Sequence, residues 1–172
     1  MMISNKKKIR IRKRVSDGTW HLIGVPFLNA RVDHTTAHGD TKLLNNGTVL
    51  SLASYNDANA SGSKYTYYTN SELGSGPKFG TAQGYSISVS DASSSKDEFT
   101  LQGIPHNGSV TYTLSTAGNG FNLLGNPYIS YLQANDAADG TNNILRVNGL
   151  NGSNILTEDT IWLWDGHAGA WI

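Results

Sequence analysis

One eight-residue pattern occurs three times in this chain and restricts how the chain can fold. Each copy reads aromatic, any residue, Leu, any residue, Gly, any residue, Pro, any residue. The copies are WHLIGVPF at 20–27, FTLQGIPH at 99–106 and FNLLGNPY at 121–128, and they hold three of the chain's four prolines. Because alternate residues of a strand share a face, the aromatic residue, the Leu and the Gly of each copy point the same way.

The Gly and the Pro of the pattern each predict a structural feature. A Gly on a strand face lets another backbone or a large ring approach closely, because it has no Cβ. The Pro two residues later cannot donate to a ladder, so it stops the strand. The pattern carries no nucleophile and no paired acids, so it predicts architecture rather than chemistry. We expect Trp20, Phe121 and also Trp162 to lie in the core.

Alternation of apolar and polar residues predicts strands along much of the chain. GYSISVS (84–90) and SVTYTLS (109–115) alternate strictly, whereas TIWLW (160–164) is apolar on both faces. Clusters of Asn, Asp, Gly and Ser separate such segments roughly every 8 to 12 residues, a spacing typical of a β-sandwich or barrel. SYLQAND (130–136) is the one stretch that suggests a helical turn.

Basic residues are concentrated near the N-terminus. Seven of the 13 lysines and arginines lie within residues 6–14, and all 13 acidic residues follow them. We interpret residues 1–8 as a basic arm. In KKKIRIRKRV, Ile9 and Ile11 alternate with basic residues, which predicts a strand with one solvated face. Nothing after residue 15 supports a basic groove, so no nucleic-acid partner is expected.

Several function classes lack the residues that they require. The chain has no cysteine, which excludes a disulfide framework, a thiolate nucleophile and Cys-ligated zinc. No segment approaches the ~20 apolar residues of a membrane helix, so no membrane span is expected. There is no GxSxG motif, and the adjacent Asp97 and Glu98 would point to opposite faces of a strand. These observations favour a protein that is not an enzyme.

The order of the motifs resembles a known group of proteins. From about residue 10 onward the chain runs GTWHLIGVPF, KYTYY, KFGTAQGYSISV, FTLQGIP, GNGFNLLGNPYISYL, ADGTNNIL and LTEDTIWLWD. This series is similar to the β-rich segment found upstream of the type IX secretion sorting domain in secreted proteins of Flavobacteriia and other Bacteroidota. In that family GNPY is usually followed by Pro-Ser, whereas Ile129 and Ser130 follow it here.

The resemblance implies a fold and a cellular setting. It implies a secreted or cell-surface protein with a jelly-roll-like antiparallel β-sandwich, which we assign as a single all-β domain over residues 9–172. The family usually continues beyond the tryptophan strand, so the resemblance implies that a C-terminal strand is missing here. An open sheet edge of that kind would allow a homodimer to form by edge pairing.

Aromatic residues are the candidate contacts for a glycan. Sugar rings stack on flat, exposed aromatic side chains, and carboxylate or amide groups bind their hydroxyls. Trp164, Trp171 and Tyr67 are the candidate stacking residues, and Asp165 is the candidate hydroxyl ligand. The alternative is that these rings fill the core, since each aromatic side chain can bury a large area.

A weak calcium motif lies in the loop after residue 56. Asp57, Asn59 and Ser61 place oxygen ligands at alternate positions, followed by Gly62, as at the start of an EF-hand loop. The twelfth position is Tyr68, where that loop requires a bidentate Glu. Asn, Asp, Ser and Gly are also the ordinary residues of turns, so a turn is the favoured interpretation.

The sequence leaves three functions to weigh. The favoured one is a non-catalytic accessory module of a secreted or surface protein that binds a polysaccharide or cell-surface glycan, or acts in adhesion. The first alternative is a structural spacer that helps to deliver its parent protein through type IX secretion and binds no ligand. The second is a small glycan-active enzyme, for which no catalytic motif is present.

Overall fold

The computed structural model describes residues 9–14, 19–28, 30, 43–59, 63–69, 71–72, 79–89, 98–134, 143–150, 156, 161–165 and 168–171. Most regular structure in these ranges is β. The strands are β1 (Ile9–Arg14), β2 (His21–Gly24), β3 (Phe27–Leu28), β4 (Val49–Tyr55), β5 (Tyr65–Thr69), β6 (Gly84–Ile87), β7 (Glu98–Pro105), β8 (Trp164–Asp165) and β9 (Ala170–Trp171). A short helix, α1 (Ile144–Val147), begins after Asn143, whose side chain accepts a hydrogen bond from the amide of Arg146.

The strands form two main antiparallel sheets and a small hairpin. The first sheet has the order β1-β7-β3, the second has the order β2-β6-β4-β5, and β8 pairs with β9. Every pairing between these strands is antiparallel. The prediction of an antiparallel all-β sandwich is confirmed. Its jelly-roll strand order stays a prediction, as does the single domain over residues 9–172.

The core lies between the two main sheets. Ile87 on β6 pairs with Leu52 on β4, and both side chains are fully buried. Leu101 on β7 and Phe27 on β3 belong to the same buried cluster, and Ile11 on β1 packs against it. Branched and aromatic side chains from facing sheets therefore share one apolar layer, as expected for a sandwich.

The glycine of each repeat copy is a point of close approach. A Cβ on Gly24 would lie 2.6 Å from the backbone nitrogen of Asn126, and one on Gly125 would lie 2.6 Å from the Cα of Gly24. A Cβ on Gly103 would lie 2.6 Å from the Cβ of Phe27. The first copy therefore contacts both of the others at glycines, and the predicted close approach is confirmed.

The predicted strands are only partly confirmed. The basic segment forms β1 and the GYSISVS segment forms β6, as expected. Residues 109–115 form no strand, and the third repeat copy makes only an isolated bridge between Leu124 and Gln83. Alternation alone cannot make a strand, because its backbone groups need a neighbouring strand as partner.

Two further predictions differ from the structure. In the TIWLW segment, the strand begins only at Trp164, and residues 161–163 precede it without regular structure. Residues 130–134 contain no helical turn, and the rest of that predicted turn lies outside the described residues. None of the helices in the described ranges has the length and apolar character needed to cross a membrane.

The predicted core positions of three aromatic residues are wrong. Trp20 is 38% exposed, Trp162 is 54% exposed and Phe121 is 59% exposed. For Trp20 the reason is the face that it occupies. The core side of β2 is formed by Ile23, and Trp20 lies an odd number of residues away, on the opposite face.

Candidate functional site

Part of the outer face of the four-stranded sheet carries small residues on the central strands and large ones on the edge strands. One row of paired residues crosses this face from Leu22 to Ser86, then to Ala53, then to Tyr67. Ala53 and Ser86 are buried although they face away from the core between the sheets. The small side chains of Ala53 and Ser86 thus leave space above the central strands in which larger side chains can lie. We call these two residues the floor.

Two aromatic rings from opposite edges of the sheet meet on this face. Trp20 directly precedes the edge strand β2, and Tyr67 belongs to the other edge strand, β5. Edge strands of a four-stranded sheet lie roughly 14 Å apart, but these two ring centroids are 5.9 Å apart with their planes at 69°. Both side chains must therefore lean inward over the small residues, which explains why the floor is buried.

The hairpin β8–β9 extends this contact. Trp164 and Trp171 are directly paired across the hairpin, with ring centroids 5.3 Å apart at 67°. The Nε1 of Trp164 donates a hydrogen bond of 2.9 Å to the backbone carbonyl of Trp20. These contacts link four residues, each to the next, in the order Tyr67, Trp20, Trp164 and Trp171. We call these four residues the aromatic row.

The geometry of the aromatic row determines what it can bind. Adjacent rings at both ring contacts are edge-to-face, an arrangement that aromatic side chains favour. They therefore do not form one flat platform, and each ring presents its own surface to a ligand. Trp20, Tyr67 and Trp171 keep 38%, 37% and 48% of their surface exposed. Such rings offer apolar stacking surface and polar tips, which suits a ligand that has both apolar faces and hydroxyl groups.

Three of the four predicted glycan contacts therefore come together. Trp164, Trp171 and Tyr67 lie in the aromatic row. Asp165 lies in β8 opposite Ala170, and its side chain is outside the described residues. Trp20, which the sequence placed in the core, completes the row. The sequence signal for an outer face was the row of serines in GYSISVS, which predicts that one face of this strand points away from the core. Only the register between β2 and β6 shows that Trp20 lies on the same face as those serines.

The predicted calcium ligand Asp57 is buried and receives hydrogen bonds from protein groups. The hydroxyl of Tyr55 donates to Oδ1 over 2.9 Å, and the amide of Phe121 donates to Oδ2 over 3.3 Å. The amide of Asn119 donates to the same Oδ2. These bonds tie the loop after β4 to the turn that precedes the third repeat copy. The carboxylate thus has a structural role that needs no metal.

A lysine ammonium occupies the position beside Asp57 that a cation would take. The Nζ of Lys64 lies 2.6 Å from the carbonyl oxygen of Asp57, 3.0 Å from that of Asn59 and 3.8 Å from the Asp57 carboxylate. The ammonium therefore supplies a positive charge to these oxygens, and the calcium site stays a prediction. Its third member, Ser61, is outside the described residues. Within the ranges that the structure describes, no three His, Asp or Glu residues come together as metal ligands.

The pKa of Asp57 follows from these contacts. Burial raises the pKa of the carboxyl group. The hydrogen bonds from Tyr55, Asn119 and Phe121, together with the charge of Lys64, outweigh it and hold the pKa below its ordinary value of 3.8. The pKa of Tyr55 is raised to about 12, mainly by burial and next by the hydrogen bond to the Asp57 carboxylate and the charge of that group. Both groups therefore keep one charge state across the neutral pH range.

Neither carboxyl group with a described pKa shift has the property of a glycosidase acid. The pKa of Glu72 is lowered because the backbone amide of Thr69 and then its hydroxyl donate to it, at 2.7 and 2.8 Å. The pKa of Asp57 is also lowered. A general acid in glycoside hydrolysis needs a raised pKa. These two groups lend no support to the enzyme alternative.

The aromatic row is consequently the strongest candidate site in the described part of the molecule. It links four aromatic side chains from three parts of the chain. The chain matches no protein-family model, no curated protein and no solved structure.

Proposed function

We propose that this protein is a non-catalytic module that binds a polysaccharide or cell-surface glycan along the aromatic row. The observation that carries the proposal is the linkage of Tyr67 and Trp20 on the outer face of the sheet to Trp164 and Trp171 of the hairpin β8–β9. A sandwich core already exists on the other face, so these rings are not needed to fill it.

The chemistry of the row favours a carbohydrate over a purely apolar ligand. Tyr and Trp combine a large apolar body with a polar tip, so they suit ligands that are wet on one side. A pyranose ring has an apolar face of C–H groups and a rim of hydroxyls. Successive edge-to-face rings would contact successive sugar units rather than one large flat surface. A chain of several sugars is therefore the proposed ligand.

The proposed setting rests on the ordered motifs of the sequence. We propose that the protein is part of a secreted or surface protein of a Bacteroidota bacterium, from the region upstream of a type IX secretion sorting domain. A glycan-binding module there would hold its parent protein on a polysaccharide. The spacer alternative shares this setting and differs only in having no ligand.

Binding assays on the purified chain test the proposal. Pull-down on insoluble polysaccharides and a glycan array should show binding that Trp171→Ala weakens at least about tenfold, the loss of one strong contact. Tyr67→Ala should weaken the same binding. Tyr131→Ala is the matched control, because Tyr131 is fully exposed and lies outside the row.

The other outcomes separate the alternatives. Binding that survives in both row variants would contradict the proposed site. A folded protein that binds no glycan would favour the spacer. Release of soluble sugar from a polysaccharide would identify an enzyme instead.

A further inference from the structure

The chain contains five Asn-Gly dipeptides, and such pairs are the usual places of spontaneous deamidation. In that reaction the amide nitrogen of the glycine attacks the side-chain carbonyl carbon of the asparagine. Glycine permits this approach because it lacks a Cβ and has a wide range of backbone conformations. The five pairs are Asn46-Gly47, Asn107-Gly108, Asn119-Gly120, Asn148-Gly149 and Asn151-Gly152. The last lies outside the described residues.

One of these glycine amides is hydrogen-bonded to a base. The backbone N–H of Gly108 donates to Nδ1 of His106 over 3.2 Å. An imidazole that accepts at Nδ1 is neutral and carries its proton on Nε2. A distance of about 3.2 Å or less is within the reach of a general base. His106 is therefore placed on the very nitrogen that must lose its proton for the attack to occur.

The same loop is held at two other points. The His106 ring packs edge-to-face against Tyr128, with centroids 5.7 Å apart. The Tyr128 hydroxyl donates to the carbonyl of Gly108 over 3.0 Å. Asn107 itself is exposed to solvent. The imidazole and the glycine are thus fixed relative to each other, while the asparagine side chain has room to rotate.

The other three described pairs lack this arrangement. The amide of Gly47 donates to the side-chain oxygen of Asn45 over 2.7 Å. The amides of Gly120 and Gly149 donate to backbone carbonyls, over 3.2 and 2.9 Å respectively. Amide oxygens are far weaker bases than an imidazole nitrogen, so these bonds hold the proton in place instead of removing it.

The asparagines of two of these pairs are also restrained. The side-chain oxygen of Asn46 accepts from the amides of Thr48 and Val49, at 3.0 and 2.9 Å. The side-chain nitrogen of Asn148 donates to the carbonyl of Ile144 over 2.8 Å. Such bonds oppose the side-chain rotation that the attack requires.

We propose that Asn107 is a preferred site of deamidation, with His106 as the intramolecular base. The Gly108 N–H proton passes to Nδ1 of His106 as the nitrogen lone pair forms a bond to Cγ of Asn107. The bond from Cγ to the side-chain nitrogen then breaks, and that nitrogen takes a proton and leaves as ammonia. Water opens the resulting succinimide at either carbonyl, which gives aspartate or isoaspartate. No oxidant, reductant or cofactor is involved.

The modification would alter the end of the three-stranded sheet. Either product adds a negative charge directly after β7, and isoaspartate also inserts an extra backbone carbon. The amide of His106 donates to the carbonyl of Pro26, which joins this loop to the first repeat copy. Deamidation at Asn107 would therefore loosen the contact between the first and second copies of the repeat.

Peptide mapping of the aged protein tests the proposal. The folded chain is kept at neutral pH for days and digested with chymotrypsin, which separates residue 107 from residue 119 because Tyr112 lies between them. Conversion at Asn107 should be about a hundredfold faster than at Asn46, Asn119 or Asn148, the low end of what a positioned base contributes. Equal rates at all four sites would overturn the proposal.

A variant and an unfolded sample isolate the role of His106. His106→Gln should slow conversion at Asn107 about a hundredfold, whereas His21→Gln should leave it unchanged. An unchanged rate in His106→Gln would contradict the proposal. In strong denaturant the four rates of the native chain should converge, and a persistent excess at Asn107 would show that the folded geometry is not the cause. This last measurement holds even if the His106 variant fails to fold.

Discussion

At the centre of the four-stranded sheet, the inner face carries large apolar side chains, whereas the outer face carries small ones. Ile87 and Leu52 fill the centre of the inner face, where the second sheet covers them. Ala53 and Ser86 occupy the centre of the outer face, and rings lean in from the edges. Apolar burial on the inner face holds the fold together. The outer face leaves half-exposed rings, which are the proposed binding surface.

The largest expected effect comes from the inner face. Leu52→Ala should lower the free energy of unfolding by about 3 kcal/mol, because it leaves a cavity in a fully buried site. Urea denaturation measures this loss. Leu44→Ala is the control, since Leu44 is 41% exposed. An equal loss in the two variants would remove the distinction between core and surface leucines.

The end of the outer face is expected to be the next most sensitive place. Gly24→Ala should cost about 2 kcal/mol, because the added Cβ meets backbone atoms of residues 125 and 126 that cannot move aside. Gly108→Ala is the control, where the nearest atom is 3.8 Å away. Urea denaturation measures the free energy of unfolding of both variants. A value for Gly24→Ala close to that of the native chain would show that the contact between the first and third repeat copies is not rigid.

The contribution of the loop after β4 to stability should depend on pH, because Asp57 lies in it. The apolar inner face should make a contribution that does not change with pH. The pKa of Asp57 is lowered in the folded state, so the unfolded chain binds more protons as the pH falls below about 4. The stability that Asp57 contributes is therefore full above that pH and is lost as the pH falls through its lowered pKa. Asp57→Asn should lower Tm at neutral pH by roughly 5 °C.

Thermal unfolding across acid pH checks this prediction. The difference in Tm between the native chain and Asp57→Asn should shrink as the pH falls. Glu72→Gln serves as a matched control, because hydrogen bonds from Thr69 also lower the pKa of Glu72 but this exposed carboxylate does not bond to the turn before the third repeat copy. A constant difference at every pH would mean that the charge of Asp57 does not stabilise the loop.

The smallest effect on stability is expected in the aromatic row. Trp171→Ala removes one edge-to-face contact from a half-exposed side chain, so it should cost at most about 1 kcal/mol. The same change should abolish most glycan binding under the proposed function. A loss of stability as large as that of Leu52→Ala would mean that the row is structural, which would favour the spacer.

Several elements could be predicted from residue patterns because the signal is local. The alternation of β1 and β6 places their apolar residues on one face, and the glycines of the repeat predict close backbone contacts. The SVTYTLS segment shows the limit of this reasoning, because its alternation is equally regular and yet it pairs with no strand among the residues that the structure describes. Pairing is a property of two segments, and the pattern of one segment cannot supply it.

The candidate site was predictable as a set of residue types but not as a surface. The aromatic character of Tyr67, Trp164 and Trp171 suggested stacking residues, whereas Trp20 was assigned to the core. Its exposure depends on which face of β2 turns toward the second sheet. The calcium site stays a prediction, and the sequence pattern could not show its neighbour Lys64. This residue lies seven positions after Asp57, and only the folded loop brings its ammonium beside the oxygens of Asp57.

The sequence by itself determined that this chain folds mostly as β-strands and that glycines mark its close contacts. Only the tertiary structure decided that Trp20 faces outward and meets Tyr67 and Trp164. The physical reason is that alternation fixes which residues share a face, while the packing of one sheet on another fixes which face is buried.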